Sequence, residues 1–218
     1  MSRIAVILLA AGQSRRFSAG GSHKLLAHVG TSAVVRHSAQ SAIDSGVGEV
    51  LVVTGACAAE VTIALRGLNV RIAHEPSFAD GMAASLARGV QTLQGSVDAV
   101  LVSLGDQPGM RPDAYRRVAA RWRETAAPIV IPRYAGSEAP AHPVLFGAAV
   151  FDELCALSGD VGARSVIARD VSRVAEAAFD WPAPRDVDTL EDLALVHAEL
   201  TDASAEQNRE VHPPPDHA

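Results

Sequence analysis

Short apolar runs that alternate with amphipathic segments constrain the fold of this chain more than any other feature. The first run, Ile4–Leu9, is continuously apolar, which is typical of a strand buried on both faces of a parallel sheet. The sequence predicts further strands at Glu49–Gly55, Val70–Glu75, Asp98–Pro108 and Pro128–Pro132. It predicts helices between them at Ala33–Ser45, Ala58–Leu68, Gly81–Leu93 and Pro112–Thr125. This alternation favours an α/β fold with a mostly parallel, twisted sheet and helices on both faces.

The pattern is less regular after Pro132. The sequence predicts a strand at His142–Phe146, helices at Gly147–Leu157 and Gly162–Arg169, a strand at Ser172–Phe179, and a final helix at Thr189–Leu200 with Thr189 as its N-cap. The stretch Asp202–Ala218 lacks apolar periodicity and contains three prolines, which predicts a disordered tail. We therefore expect one domain over residues 1–201, followed by a tail over residues 202–218.

The composition of the chain restricts the binding partners and the cellular location that we expect. The formal net charge is -6 at pH 7, so no overall positive field would attract nucleic acid, and any anion site must be built locally. No apolar run approaches the roughly 20 residues of a membrane span, and Ile4–Ala11 is short for a secretory signal. Cys57 and Cys155 match no metal-binding spacing, and we interpret them as buried thiols. We expect a cytoplasmic protein that binds no membrane.

The loop "LAAGQSRRF" follows the first predicted strand, and ligands of open α/β sheets bind beyond the carboxyl ends of strands. The loop lacks both the G-x-G-x-x-G pattern of dinucleotide sites and the G-x-x-x-x-G-K-[ST] pattern of P-loops. Its small residues leave backbone N–H groups open to a phosphate or a base. The cations that could neutralise a polyphosphate are Arg15, Arg16 and Lys24. An ordinary glycine turn with solvated cations would have the same composition.

This loop resembles the signature of the nucleotidyltransferase family that includes the molybdenum cofactor cytidylyltransferases and guanylyltransferases. The family pattern is LAAG-x-S-x-R-(M/F)-G, a few variable residues, and then Lys. Gly12, Ser14, Arg16 and Lys24 match it. Ser18 stands where glycine is usual, and the spacer before Lys24 is longer than in the family pattern.

Five further segments, in family order, resemble the molybdenum cofactor cytidylyltransferase branch. They are "FADGMAASLARGV", "SLGDQPGM", "AHPVLF" with Ala141 for the usual glycine, "LSGDVGARSVI", and "DVDTLEDL" with Leu190 for the usual proline. The resemblance covers nearly all of the chain before the predicted tail. It implies a Rossmann-like sheet of the nucleotide-diphospho-sugar transferase type.

The reaction implied by the resemblance is attack of an acceptor phosphate on the α-phosphorus of a nucleoside triphosphate, with release of pyrophosphate. The acceptor is already anionic, so positioning and charge neutralisation carry catalysis. The implied cofactor is Mg²⁺, with Asp106 and Asp188 as metal ligands and Asp186 as the alternative to Asp188. Asp106 could instead cap a turn, and Asp188 could complement the dipole of the final helix.

The resemblance also assigns roles to other residues. The implied catalytic residues are Arg16, Lys24 and Asp106. The implied nucleotide-binding residues are Leu9, Ala10, Ala11, Gly12, Arg16, Lys24, Asp80, Gly81 and Ser85. Asp80 could orient the base or ribose, or it could cap the helix that follows. His142 and Arg164 are the implied acceptor-binding residues, and His142 could equally be structural.

The favoured substrates are CTP and molybdopterin. Guanylyl members of the family usually carry LAGG, whereas this chain has Ala11 in LAAG, and one Cβ near the base would leave less room for a purine. Three other functions stay open at this point. They are a GTP-using guanylyltransferase, an NAD(P)H-dependent oxidoreductase on the same fold, and a chaperone that delivers a finished cofactor to a molybdenum hydroxylase client.

Overall fold

The computed structural model describes residues 2–14, 17, 23–137, 139, 141–160 and 162–211, with side chains up to residue 202. In this part of the chain, seven strands form one sheet in the order β5-β4-β1-β6-β8-β7-β9, and β2 and β3 form a separate hairpin. The strands are β1 (Ile4–Ala10), β2 (His28–Val29), β3 (Ser32–Ala33), β4 (Glu49–Thr54), β5 (Arg71–His74), β6 (Ala99–Leu104), β7 (Ile129–Arg133), β8 (Val144–Gly147) and β9 (Val174–Ala178).

The helices cover both faces of the sheet, as predicted. They are α1 (Val34–Asp44), α2 (Ala58–Ala64), α3 (Met82–Leu93), α4 (Pro112–Thr125), α5 (Phe151–Cys155), α6 (Arg164–Arg169) and α7 (Leu190–Val211). Side chains of β1 alternate between two helical layers because successive strand residues point to opposite faces. Val6 and Leu8 pack in a core with α1, α2 and α4, whereas Ala5 and Ile7 pack in a second core with α3 and α5.

The sheet is mostly parallel, as predicted, and β8 is the strand that runs against the others. β1 pairs in parallel with β4 and β6, β4 with β5, and β7 with β9, whereas β8 is antiparallel to both β6 and β7. The connection from β7 to β8 has no helix in its described residues, and a parallel return needs a longer crossover, usually helical. The chain therefore comes back antiparallel.

The final helix begins as predicted and ends later. Thr189 Oγ1 accepts a hydrogen bond of 3.1 Å from the N–H of Asp192, and Asp192 Oδ2 accepts one of 2.9 Å from the N–H of Thr189. This reciprocal cap confirms Thr189 as the N-cap. The helix continues to Val211, although the sequence pattern predicts disorder from Asp202, and residues 202–211 contain no glycine or proline that would end it. Residues 212–218 lie outside the described residues, so their disorder and the domain boundary stay predictions.

Smaller differences also have local causes. Helix α2 ends at Ala64 rather than Leu68, since Gly67 has a φ of 82° and turns the chain away. The segment predicted as one helix from Gly147 is a 3₁₀ turn, Ala148–Val150, followed by α5. Cys57 and Cys155 are free thiols and are half-buried rather than buried. No helix in the described chain has both the length and the apolar character needed to span a bilayer.

Two neighbouring glycines allow a test of the tight turn before β4. A Cβ added to Gly48 would collide with the carbonyl oxygen of Ile4, whereas one added to Gly46 would meet no atom within 4 Å, although Gly46 has a φ of 63°. We expect Gly48→Ala to lower the free energy of unfolding by about 3 kcal/mol. Gly46→Ala should cost only about 1 kcal/mol, from left-handed backbone strain. Urea unfolding followed by circular dichroism measures the free energy of unfolding of both variants. Equal losses would show that the close contact between residue 48 and Ile4 does not determine the cost.

Candidate active site

Lys24, Asp106 and Asp188, three of the predicted site residues, meet at the carboxyl edge of the sheet, where β1 and β6 end. These strands pair in parallel, so the loops that follow Ala10 and Leu104 leave the sheet side by side. The segment before α7 reaches the same edge, because the N–H of Val187 donates a hydrogen bond of 2.9 Å to the carbonyl of Asp106. The loops after β1 and β6 and the segment before α7, which are far apart in sequence, therefore lie next to one another at this edge.

Lys24 lies between two carboxylates at this edge. Its Nζ is 2.5 Å from Asp106 Oδ2 and 2.7 Å from Asp188 Oδ1. The side chains of Lys24 and Asp106 are only 14% and 16% exposed. Burial on its own lowers the pKa of Lys24, but the neighbouring charges and hydrogen bonds of Asp106 and Asp188 outweigh it and raise the pKa above its usual value. Lys24 therefore stays charged at neutral pH.

Asp186 has a different partner. Its Oδ1 accepts a hydrogen bond of 2.7 Å from Nε2 of Gln107. Partial loss of water and the negative charges of Asp106 and Asp188 raise the pKa of Asp186, while Gln107 and Lys24 act in the opposite direction. Since Asp188 shares Lys24 with Asp106, the geometry favours Asp188 over Asp186 as the second carboxylate of a cation site.

The donor set at Asp106 fits a divalent metal ion. Asp106 Oδ1 is buried and has no hydrogen-bond partner, and such an atom is costly unless it is satisfied. Within the described residues no group of three or more His, Cys, Asp or Glu side chains is arranged to hold a metal ion. Mg²⁺, however, commonly takes one or two carboxylates together with phosphate oxygens and waters. Asp106 and Asp188 therefore fit a cation that binds together with a nucleotide.

Two cavities meet at Lys24. The loop-side cavity holds about 330 Å³ and has Gly12, Phe17 and Gly81 among the residues of its wall. The sheet-side cavity holds about 450 Å³ and has Gln107, His142, Arg164 and Asp186 in its wall. Lys24, Asp160 and Asp188 border both cavities. Two ligands, one in each cavity, would thus approach each other beside the same charged groups.

His23 holds the loop that follows β1. Its Nε2 lies 2.8 Å from the carbonyl of Gly12 and 3.1 Å from Ser14 Oγ, while Nδ1 accepts from the N–H of Leu25. These partners require the tautomer with hydrogen on Nε2. Burial lowers the pKa of His23, the bond to Gly12 opposes this, and Lys24 lowers it further, so the ring is neutral at pH 7. The sequence gives no signal for this role, since the contacts span a variable spacer.

The other predicted nucleotide-binding residues occupy different positions. Leu9 is half-buried, Ala10 and Ala11 are buried in the sheet edge, and Gly12 and Gly81 border the loop-side cavity. Asp80 is exposed and does not cap α3, whose N-cap is Gly81. Ser85 is buried within α3 and borders neither cavity. Arg16, like Arg15, lies outside the described residues.

Gly81 allows a loop to pass close to the start of α3. It has a φ of 113°, and a Cβ there would lie 2.5 Å from the backbone of Gly159 and 2.6 Å from Asp160 Oδ1. The carbonyl of Gly159 accepts a hydrogen bond of 3.2 Å from the N–H of Ala83. Gly81 therefore helps to place Asp160 between the two cavities. The sequence alone assigns Asp160 no role, although it lies in the "LSGDVGARSVI" segment.

The methyl group of Ala11 packs inside the protein rather than against a cavity. Its Cβ would lie 2.8 Å from a Cβ added to Gly55, and Ala11 borders neither cavity. The position of this methyl group therefore does not favour the direct contact with a base that the sequence predicts. An effect of Ala11 on nucleotide choice would act through the path of the loop, because Gly55 leaves just enough room for it.

His142 and Arg164, the implied acceptor-binding residues, both line the sheet-side cavity, but only Arg164 is charged. Burial, with a smaller contribution from Arg164, lowers the pKa of His142 to about 4, against the opposing charge of Asp106. His142 is therefore neutral near pH 7 and can offer hydrogen bonds but no positive charge. Arg164 is left as the cation of this pair.

Comparisons with known proteins identify the fold and the family of the chain. No curated protein sequence matches the chain significantly. Among solved structures, a Mycobacterium tuberculosis Rv0371c homologue from Mycobacterium sp. strain JC1 matches with a TM-score of 0.81 and 26% identity, over 92% of this chain and 98% of that one. Rv0371c of Mycobacterium tuberculosis H37Rv, solved in complex with manganese, matches with a TM-score of 0.76 and 26% identity, over 90% and 99% of the two chains.

A nucleotidyl transferase from Methanothermobacter matches with a TM-score of 0.78 and 25% identity, over 92% of this chain and 99% of that one. These neighbours confirm the mostly parallel, Rossmann-like α/β fold of the nucleotide-diphospho-sugar transferase type. Residues 6–174, which include the loop after β1 and Asp106, match the MobA-like NTP transferase domain. The chain therefore belongs to the family of MobA-like NTP transferases.

Proposed function

We propose that this protein transfers a nucleoside monophosphate from a nucleoside triphosphate, bound in the loop-side cavity, to a phosphate group of an acceptor bound in the sheet-side cavity. The observation that carries the proposal is that both cavities share Lys24 and Asp188, beside Asp106. A transfer reaction requires that donor and acceptor meet at one charged place, because proximity and charge neutralisation lower its barrier.

The residues divide between the substrates. On the donor side, the backbone of residues 9–12 and Gly81 would contact the nucleotide, with Asp80 exposed beside them and Lys24 and Arg16 neutralising the triphosphate. On the acceptor side, Arg164 would bind the acceptor phosphate and neutral His142 would donate or accept a hydrogen bond. The position of Ser85 within α3 favours a structural role.

Asp106 and Asp188 would hold Mg²⁺, which when bound draws negative charge from the triphosphate and polarises the α-phosphate. An acceptor phosphate needs no general base, since it is anionic near neutral pH. This agrees with the two histidines described beside the cavities: the ring of His23 is occupied by Gly12, Ser14 and Leu25, and His142, with its pKa lowered to about 4, is a weak base.

In its most specific form, the proposal is transfer of CMP from CTP to molybdopterin in the cytoplasm, with a molybdenum hydroxylase as the client of the product. Support comes from the six sequence segments that resemble molybdenum cofactor cytidylyltransferases and from the MobA-like domain match. The sheet-side cavity, with a cation and a neutral imidazole in its wall, suits a polar ring that carries a phosphate.

Pyrophosphate release tests the reaction. The protein with Mg²⁺ and molybdenum-loaded molybdopterin should release pyrophosphate with CTP but not with GTP, ATP or UTP. Asp106→Asn should lower the rate at least about 100-fold, because it removes the charge that holds the metal. Asp113→Asn, on the exposed side of α4, is the matched control and should leave the rate unchanged.

The other outcomes separate the alternatives. Release with GTP alone would make the protein a guanylyltransferase. No release with any nucleotide would overturn the transferase proposal. Oxidation of NADPH with candidate acceptors would then point to the oxidoreductase, and activation of a molybdenum hydroxylase that survives Asp106→Asn would point to a carrier.

The two candidate second carboxylates should differ in their effect on turnover. We expect Asp188→Asn to lower kcat at least about 100-fold, because Asp188 shares a cation with Asp106. Asp186→Asn should lower it less than about tenfold, since an Asn side chain can still accept the hydrogen bond from Gln107. Turnover measured over a range of Mg²⁺ concentrations decides between them. A larger loss for Asp186→Asn would make Asp186 the metal ligand.

The Ala11 methyl group offers a test of nucleotide choice. Ala11→Gly should raise turnover with GTP relative to CTP by about tenfold, because the loop beside Gly55 gains freedom to admit a larger base. Ala10→Gly removes a methyl group from the adjacent residue, which packs in the core with α1, and should leave the ratio unchanged. An unchanged ratio in Ala11→Gly, measured as kcat/KM for each nucleotide, would remove the argument for CTP from this residue.

A further inference from the structure

Lys24 Nζ occupies the point that a cation shared by Asp106 and Asp188 would occupy. Oxygens of the two carboxylates lie 2.5 and 2.7 Å from this single nitrogen. A Mg²⁺ ion bound to both carboxylates would sit about 2.0–2.1 Å from their oxygens, which leaves no space for the ammonium at the same point. Lys24 and a bridging metal ion therefore exclude each other there.

The Lys24 side chain can also extend towards the loop-side cavity. Its residue borders the loop-side cavity as well as the sheet-side cavity. Its backbone is held in place, since the Lys24 N–H donates to Ser14 Oγ and its carbonyl accepts from the N–H of Ala27. The four methylene groups of the side chain can therefore carry the ammonium from the carboxylates towards the loop-side cavity while the loop stays in place.

The described wall of the loop-side cavity offers the ammonium no pair of carboxylates equivalent to Asp106 and Asp188. Apart from Lys24, the charged groups in its described wall are Asp188, which already contacts Lys24, and Asp160. A triphosphate in this cavity would supply anionic oxygens that compete with the two carboxylates for the ammonium. Binding of a triphosphate would thus free the point between Asp106 and Asp188.

We propose that Lys24 is an internal cation that occupies the metal site until a triphosphate draws it away, so that the divalent metal and the nucleotide bind cooperatively. The proposal rests on the proposed function for the identity of the ligands. It adds an order to their binding: the metal ion alone binds weakly, because it must displace a buried ammonium. Cooperativity here is a coupling between two ligands through one side chain, and it acts equally in both directions.

Manganese binding tests this without any turnover. Titration of Mn²⁺ alone into the protein, followed by calorimetry and by the electron paramagnetic resonance signal of free Mn²⁺, gives the metal affinity in the absence of nucleotide and acceptor. Lys24→Met should bind Mn²⁺ at least about tenfold more tightly than the natural protein, since it removes one positive charge from contact with the ligands. Lys24→Arg, which keeps the charge, should bind Mn²⁺ weakly.

Two control variants locate the titrated ion. Arg71→Met removes a positive charge that pairs with Glu49 at the far end of β4, and its Mn²⁺ affinity should not change. Asp106→Asn should lose Mn²⁺ binding both on its own and when combined with Lys24→Met, which places the ion at this carboxylate. Thermal unfolding of each variant identifies any that fails to fold, and Lys24→Gln then replaces Lys24→Met.

The coupling to nucleotide gives the second readout. Affinity for CTP, measured with and without Mn²⁺, should depend on the metal more strongly in the natural protein than in Lys24→Met. Equal or weaker Mn²⁺ binding by Lys24→Met would overturn the inference and leave the proposed function standing, with the metal held at Asp106 Oδ1 beside Lys24. Absence of Mn²⁺ binding in every variant, with CTP present, would instead count against the metal site of the proposed function itself.

Discussion

The pairing of β1 with β4 on one side and β6 on the other is the constraint on which the site depends. Ala10 lies opposite Thr54, and Leu9 lies opposite Leu104, so the ends of three strands are fixed at one edge by backbone hydrogen bonds. Both faces of β1 are buried, and a slip of one residue would move Val6 and Leu8 into the wrong helical layer. The loop that carries Gly12 and the loop that carries Asp106 therefore keep their separation.

The described charges at this edge of the sheet would bind a polyanion only together with a further source of positive charge. Of the described residues in the wall of the loop-side cavity, Lys24 is the one cation, and it stands beside Asp160 and Asp188. Among these described groups, a triphosphate would face two carboxylates and one ammonium. Arg16 and a divalent metal ion are the proposed sources of the missing positive charge, which ties nucleotide recognition to the metal.

The family resemblance singled out Lys24, Asp106 and Asp188 as site residues. The sequence itself was enough to predict the sheet and its helical layers, because strand runs and helix runs are local patterns. It could not predict that β8 runs antiparallel, since this depends on the short path from β7. Nor could it predict that burial makes His142 neutral, that His23 holds Gly12, or that the Ala11 methyl group faces Gly55. Each of these depends on contacts between residues that no spacing rule relates.

The reversed direction of β8 allows the connection between β7 and β8 to change without a change in the strands that pair with β1. Because β8 runs against β6 and begins opposite Val102, the connection from β7 turns back at the same edge of the sheet as the loops after β1 and β6, and it brings His142 there. Insertions or deletions between β7 and β8 would reshape the sheet-side cavity while the β1 ladder stays intact. Under the proposed function, a change in this single surface connection would alter the choice of acceptor, while the strands that position the proposed nucleotide loop would stay the same.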